Sequence, residues 1–313
     1  MIATRASRPH YAAHLAPILE RLPADTPDDV CLVASHRDLV TARREGFRPR
    51  SLILAQHGIG QSYSGTHPSY PGGKDNYDVG LFLVPNKYAA ARWREAYAGA
   101  AIEIVGSPIL DTLPLGRTLR DPIDGYGDVV AVSFHWDAYH TPEAGSAFRV
   151  FRDQVAQLGD RFSTVIGHAH PLRKDAPRFY DKVGIEFVPD FADVCRRADV
   201  YVCDNSSTLY EFASTGRPVV VLNSPQYRGK VSHGLRFWDA AHVGLNAWPL
   251  DNLGDVIERA LQDPEPVRTG REDALDIVYA YRRGGAQRAA DAIVRWLEPA
   301  FVDPGDHFAG MPA

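Results

Sequence analysis

The chain has 313 residues, of which 45% are hydrophobic and 23% are charged, and its formal net charge at pH 7 is −5. This length suits two domains of roughly 120–180 residues each, and the apolar fraction excludes a wholly disordered chain. The chain therefore lacks the excess of basic residues that is typical of a protein that binds nucleic acid electrostatically. Nucleic acid is therefore not indicated as a partner, although a local basic face stays open.

The three cysteines, Cys31, Cys195 and Cys203, are too few and too scattered for a disulfide framework or a zinc cluster. Cys31 and Cys203 lie in apolar runs typical of buried strands, which favours a reducing compartment. Residues 1–10 are polar, and no stretch approaches the roughly 18 apolar residues of a membrane span. We predict a cytoplasmic protein without a transmembrane segment, and we leave peripheral membrane contact and the oligomeric state open.

In the first part of the chain, short apolar runs alternate with helical patterns, as in parallel β/α units. Strands are predicted at residues 30–35, 51–56, 79–84 and 101–105, and helices at residues 9–22 and 87–97. The segment 113–127 is rich in proline and glycine and interrupts this alternation. It predicts an interdomain linker.

The alternation resumes after that segment. Strands are predicted at residues 128–134, 163–167, 185–188, 200–203 and 218–222, and helices at residues 144–158, 191–197, 207–215, 253–261 and 286–297. We therefore predict two α/β domains of similar size with a cleft between them. Because ligands of such sheets bind beyond the carboxyl ends of the strands, the residues that follow each strand are the candidates for chemistry.

A histidine and a glycine, His57-Gly58, follow the predicted strand 51–56. An imidazole at the carboxyl end of a strand can accept a proton from a substrate hydroxyl near pH 7, and glycine lets the backbone approach a ligand. The alternative is a histidine that only makes hydrogen bonds within its loop. The spacing of the glycines after residue 57 is not that of a dinucleotide-binding fingerprint.

Two histidines, His168 and His170, follow the strand 163–167. They could chelate a metal, but no further ligand lies at a recognisable spacing, so we predict no metal. An anion-binding role suits His170 better, together with Arg173, because Pro171 stiffens the turn that directs the imidazole.

Three consecutive hydroxyl residues, Ser206, Ser207 and Thr208, open the helix predicted after strand 200–203. Free backbone N–H groups and the helix dipole favour an anion there, and a phosphate would fit. The alternative is a plain helix cap without a ligand. Glu211 lies three residues after Thr208, so part of this pattern is a capping box.

The remaining residues predicted to line the cleft lie in the same segments or directly after a strand: Gly58, His135, Asp204 and Glu211. Trp136, beside His135, belongs with them. The chain contains no phosphate-binding P-loop, no hydrolase elbow and no zinc-protease motif. We predict no resident cofactor.

Taken in order, these segments resemble the CDP-glycerol glycerophosphotransferase family, the teichoic-acid primases and polymerases. The resemblance runs from about position 50 to 295. It is carried by His57-Gly58, a Gly-x-Pro-x-x-Asp motif at residues 106–111, a strand and aromatic turn at 129–136, His170-Pro171, an Asp-x-Ser-Ser motif at 204–207 with the strand after it, and a Gly-x-x-x-Arg motif at 284–288.

The resemblance implies an α/β protein with the GT-B fold, in which two facing Rossmann-like domains enclose the active site. Residues 1–120 would form the acceptor domain and residues 121–313 the nucleotide-donor domain, with a C-terminal helix that can pack back on the first. His57 matches the family's catalytic base, and His170, Ser206 and Ser207 match residues that hold the phosphates of the donor. The family's chemistry needs no bound metal.

The function implied is transfer of a glycerol-phosphate or glycosyl group from a nucleotide-activated donor, CDP-glycerol or a nucleotide sugar, to an acceptor hydroxyl. The family's Trp-His-Gly-Thr-Pro-Leu-Lys is Gln-His-Gly-Ile-Gly-Gln-Ser at residues 56–62, so the Pro and Lys on the acceptor side are missing. Three alternatives stay open: a glycosyltransferase for a nucleic-acid base or another unusual acceptor, an epimerase of the UDP-N-acetylglucosamine 2-epimerase type, and a nucleotide-sugar-binding protein without activity.

Overall fold

The structure, a computed structural model, describes residues 2–48, 50–59, 79–97, 99–114, 128–137, 145–225 and 242–298. Most of the predicted linker 113–127 lies outside the described residues, and so do residues 60–62 of the loop after His57. The predicted domain boundary between residues 120 and 121 lies there too, so its position stays a prediction.

The first sheet contains five parallel strands in the order β1-β2-β3-β4-β5. The strands are β1 (Ala3–Arg5), β2 (Cys31–Val33), β3 (Leu52–Ala55), β4 (Val79–Val84) and β5 (Ala101–Ile104). Its helices are α1 (Pro9–Leu19), α2 (His36–Arg44) and α3 (Lys87–Ala96).

Alternate side chains of a strand point to opposite faces, and both faces of this sheet are buried. In β4, Leu81 and Leu83 join the core formed with α1, whereas Phe82 and Val84 join the core formed with α2 and α3. The strands therefore read as continuous apolar runs.

The second sheet contains six parallel strands in the order β11-β10-β9-β6-β7-β8. The strands are β6 (Val129–Phe134), β7 (Thr164–Ala169), β8 (Glu186–Phe187), β9 (Val200–Cys203), β10 (Val219–Leu222) and β11 (Leu245–Ala247). Its helices are α4 (Phe148–Val155), α5 (Ala176–Lys182), α6 (Phe191–Arg197), α7 (Thr208–Ala213), α8 (Leu253–Leu261) and α9 (Glu265–Val278). The strand order reverses between β6 and β9, the point at which sheets of this type bind nucleotides.

The predicted fold class is confirmed: both sheets are parallel, and helices alternate with their strands. A last helix, α10 (Gly285–Leu297), returns to the first sheet, where Ala289 and Ile293 share a core with Leu15 of α1. Within the described ranges, no helix combines the length and the apolarity needed to span a bilayer.

Two of the motifs that carry the family resemblance contact each other at the start of α10. The Asp111 carboxylate accepts the backbone N–H of Gly284 at 2.6 Å and that of Ala286 at 2.8 Å. Gly106 has a φ of +82°, and a Cβ at that position would lie 2.6 Å from the Tyr281 carbonyl oxygen. These residues join the end of the first domain to the helix that returns to it, so their role here is structural.

We expect Asp111→Ala to lower the free energy of unfolding by about 1–2 kcal/mol, because two N–H groups in the first turn of α10 lose their acceptor. Urea unfolding followed by circular dichroism measures this. Asp111→Asn keeps one carbonyl oxygen and should fall between the two proteins. An Ala variant as stable as the wild type would show that water replaces this cap without loss.

Candidate functional site

His57 lies just beyond the carboxyl end of β3, with its Nδ1 in a part-buried environment and part of the residue accessible to solvent. Its Nδ1 lies 2.6 Å from the carbonyl oxygen of Ala34, which follows β2. A carbonyl only accepts, so Nδ1 must carry the proton, and Nε2 is left as a hydrogen-bond acceptor. Gly58 follows with a φ of +79°, a conformation that favours glycine and turns the chain sharply after the imidazole.

The surroundings of His57 keep its imidazole neutral. Desolvation lowers the pKa of His57, and the bond to the Ala34 carbonyl and the charge of Asp38 oppose this only in part. The ring is therefore unprotonated at neutral pH, which is the state that a general base requires.

His170 lies at the carboxyl end of the neighbouring domain's sheet, directly after β7. The backbone N–H of Leu172 donates to its Nδ1 at 3.1 Å. Nδ1 is then the acceptor, so the neutral ring carries its proton on Nε2, which is free to donate to a ligand. The pKa of His170 is lowered to about 2, first by burial and then by neighbouring histidines and Arg8.

A row of imidazole rings connects these two histidines across the domains. The His10 ring lies 6.4 Å from the His57 ring and 5.8 Å from the His170 ring, between centroids. The His135 ring centroid lies 5.0 Å from that of His170. Together they line one cleft between the carboxyl-terminal edges of the two sheets. We call these four rings the histidine row.

A second contact joins the domains beside the row. His14, one turn after His10 on α1, has its ring 6.2 Å from that of His57 and its Nε2 4.0 Å from Glu211 Oε1 on α7. Burial raises the pKa of Glu211 to about 7, while burial and the nearby imidazoles lower that of His14 to about 3. This contact therefore places a buried carboxyl group with a strongly raised pKa beside the histidine row.

We expect Glu211→Gln to raise the free energy of unfolding at pH 8 but not at pH 4.5. The folded-state pKa of about 7 exceeds the ordinary value of 4.5, so the folded form binds more protons and loses stability as pH rises from 4.5 to 7. The glutamine escapes this loss, on the order of 3 kcal/mol above pH 7. Urea unfolding at pH 4.5 and 8 should show a difference only at pH 8.

Glu20→Gln is the matched control, because the Glu20 side chain is 74% exposed. It should change the stability equally little at both pH values. A Glu211→Gln gain that is the same at pH 4.5 and pH 8 would contradict the raised pKa.

Asp204 lies at the point where the strand order of the second sheet reverses. Its carboxylate accepts from the backbone N–H of His135 at 2.7 Å and of Ala147 at 3.0 Å, and from the Ser146 hydroxyl at 2.9 Å. Asp204 thus ties the ends of β6 and β9 to the start of α4 and positions His135 in the row. Sequence reasoning placed both residues in the cleft.

The three hydroxyl residues at the start of α7 differ in their partners. The Thr208 Oγ1 lies 2.9 Å from both Ser206 Oγ and Tyr201 Oη, so the Ser206 and Thr208 hydroxyls belong to a part-buried network. Among the described residues, the Ser207 hydroxyl makes one long contact, 3.5 Å, to Glu211 Oε1. Phosphate binding by all three stays a prediction, and Ser207 is the least engaged.

Arg173 braces the loops that carry the histidines. Its guanidinium lies 4.1 Å from the Phe148 ring centroid and donates to the His135 carbonyl at 3.3 Å. It also forms ion pairs of 3.4 Å with Asp137 and Asp175. Its predicted role as a phosphate ligand is not tested by these contacts, which already occupy much of its donor capacity.

Asn205, between Asp204 and Ser206, is 2% exposed, and neither side-chain amide atom has a hydrogen-bond partner among the described residues. A buried amide without partners is unfavourable by roughly 1–3 kcal/mol, so a ligand that satisfies it would recover that free energy. Asn205 was not singled out in the sequence.

Sequence reasoning also missed the site residues of α1. His10, Tyr11 and His14 all have rings within 6.4 Å of the His57 ring centroid. The available signal was the spacing of two histidines four residues apart on a predicted helix. Among the described residues, no group of three or more histidine, cysteine or acidic side chains has an arrangement that could hold a metal ion.

Solved structures share this architecture. A wall teichoic acid polymerase TagF variant soaked with CDPG matches with a TM-score of 0.57 and 14% identity, over 86% of this chain and 72% of that one. An S. aureus MnaA–UDP structure matches with a TM-score of 0.59 and 15% identity, over 94% of each chain. A Listeria monocytogenes protein described as a UDP-N-acetylglucosamine 2-epimerase matches with a TM-score of 0.50 and 15% identity, over 90% of this chain and 77% of that one.

These likenesses establish the fold. The chain has the GT-B fold, two Rossmann-like domains that face each other. No protein family and no curated protein matches the sequence. At such low identities the activity has to be argued from the cleft itself.

Proposed function

We propose that the protein is a GT-B transferase that moves a glycerol-phosphate or glycosyl group from a nucleotide-activated donor to an acceptor hydroxyl. His57 is the general base, and His170 binds the diphosphate of the donor. The observation that supports this most is that the two imidazoles in one cleft are opposite tautomers. His57 presents an acceptor nitrogen, and His170 presents a donor N–H.

The chemistry follows from those two atoms. His57 Nε2 accepts the proton of the acceptor hydroxyl as its oxygen forms a bond to the phosphorus or anomeric carbon. The bond from that centre to the nucleotide's phosphate oxygen breaks, and the negative charge moves onto the leaving nucleotide. The His170 Nε2–H donates to this charge, and the reversal point of the second sheet holds the nucleotide beside it.

A thermal-shift screen tests the donor half of the proposal. CDP, UDP, CDP-glycerol and UDP-N-acetylglucosamine should each be tried, since a ligand at 100 times its dissociation constant stabilises the folded state by roughly 2.7 kcal/mol. A shift with diphosphates supports the proposal. If no nucleotide at millimolar concentration shifts the thermal midpoint, the proposal of a nucleotide-activated donor is wrong.

A second candidate function, epimerisation of a nucleotide sugar, is favoured by one observation. Glu211 and His14 place a buried carboxyl group, with a pKa raised to about 7, beside a neutral imidazole that lies 6.2 Å from the His57 ring, and a carboxyl–imidazole pair can move a proton. The two functions differ in their need for an acceptor. An epimerase turns UDP-N-acetylglucosamine into an isomer in the absence of any acceptor, and a transferase does not.

A further inference from the structure

His10 lies between the two groups to which the proposed function gives chemical roles. It belongs to α1 of the first domain, yet its ring centroid is slightly closer to His170 of the second domain, at 5.8 Å, than to His57 of its own, at 6.4 Å. Tyr11 packs against it at 4.1 Å and so fixes its position at the start of the helix.

The His10 Nδ1 is buried and has no hydrogen-bond partner in the part of the chain that the structure describes. A buried polar atom without a partner is unfavourable, so a water, an ion or a ligand that accepts from it stabilises the protein. The charged and titratable groups around it include His14, His57, His170, Arg8 and Asp38. Burial, His57 and Arg8 lower the pKa of His10 to about 4, so at neutral pH it is an uncharged ring that can still donate one N–H.

The order of the chemical groups along a bound donor indicates which of them His10 contacts. The acceptor hydroxyl meets His57, and the diphosphate meets His170, so the stretch between them contains the transferred group and the phosphate that carries it. We infer that His10 binds this distal phosphate of the nucleotide donor, donating from Nδ1 across the cleft. This rests on the proposed function and adds a ligand from the acceptor domain to the donor site. It holds for a phosphoryl or a glycosyl centre, because both donors contain that phosphate.

The test compares nucleoside diphosphates with monophosphates by isothermal titration calorimetry at pH 7. Wild-type protein should bind CDP more tightly than CMP, or UDP more tightly than UMP. In His10→Phe, which keeps an aromatic ring beside Tyr11, that ratio of affinities should fall roughly 10-fold or more, since a hydrogen bond to a charged group is lost. The affinity for the monophosphate should not change.

His10→Asn places an amide N–H near the position of Nδ1 and should recover part of the ratio. Ala12→Gln changes an exposed residue on the opposite side of the same turn of α1, and it should behave as wild type. Circular dichroism and the thermal midpoint confirm that each variant is folded before titration.

The outcomes separate the two proposals. If wild-type protein binds the diphosphates and His10→Phe keeps the same ratio, the role of His10 is wrong and the proposed function stands. The same holds if mono- and diphosphates weaken equally. If wild-type protein binds no nucleotide at all, both proposals are wrong.

Discussion

Replacing His57 by alanine should reduce turnover by about 10²–10⁴-fold, the usual contribution of a positioned general base. The loss should appear in kcat, because Nε2 of His57 acts on the proton of the acceptor hydroxyl and makes no contact with the nucleotide in the proposed arrangement. The dissociation constant for CDP or UDP should stay within about twofold of wild type. Steady-state kinetics with the donor found in the nucleotide screen, together with calorimetry, measure both.

The pH profile supplies an independent check on the same imidazole. Since desolvation lowers the pKa of His57, wild-type kcat/KM should fall only below the ordinary histidine value of 6.5. The residual activity of His57→Ala should lack that acidic limb. Unchanged turnover in the alanine variant, with or without the limb, would remove His57 from the reaction.

Replacing Arg217 by alanine should lower the free energy of unfolding by about 3–5 kcal/mol. Arg217 is 1% exposed and donates to the carbonyl oxygens of Ala198 and Cys195 and, at 3.0 Å, to the Thr215 hydroxyl. Its guanidinium also packs 4.5 Å from the Phe212 ring centroid. The variant leaves buried acceptors without a donor and opens a cavity, and each of these effects is destabilising by 1 kcal/mol or more, roughly.

A surface arginine provides the comparison. Arg197 pairs with Glu186 at 2.5 Å, but both side chains are exposed, at 40% and 59%. Arg197→Ala should therefore change the stability by no more than about 1 kcal/mol. Equal losses for the two variants in urea unfolding would show that the buried hydrogen bonds of Arg217 contribute little.

The sequence predicts well the elements in which a long apolar run meets a clear boundary. The predicted strand 79–84 is β4, and the predicted helices 191–197 and 253–261 are α6 and α8 with the same bounds. β1 (Ala3–Arg5) was not predicted, because its three residues have partly exposed side chains and form no apolar run. α2 (His36–Arg44) escapes because its buried side is only Asp38, Leu39 and Ala42 in an otherwise polar segment.

The candidate site divides in the same way. His57 and His170 both follow predicted strands. Because ligands of parallel sheets bind beyond the carboxyl ends of the strands, both residues could be placed at one cleft from the sequence. His10 and His14 lie on a helix that was predicted from its apolar residues, Leu15, Ile18, Leu19 and Leu22. Hydrophobic periodicity identifies only the side of a helix that faces its own core. Which element of the other domain meets the polar side depends on how two domains pack, and no local pattern carries that information.

The hydrogen bonds that orient the two principal imidazoles both go to main-chain atoms, the Ala34 carbonyl and the Leu172 N–H. Every amino acid supplies the carbonyl, and every one except proline supplies the N–H. Evolution can therefore exchange the side chains at 34 and 172 freely without reversing which ring takes a proton and which gives one. The backbone path therefore determines that one imidazole accepts a proton and the other donates one. Proteins with the same backbone path can differ in their substrates and keep this arrangement.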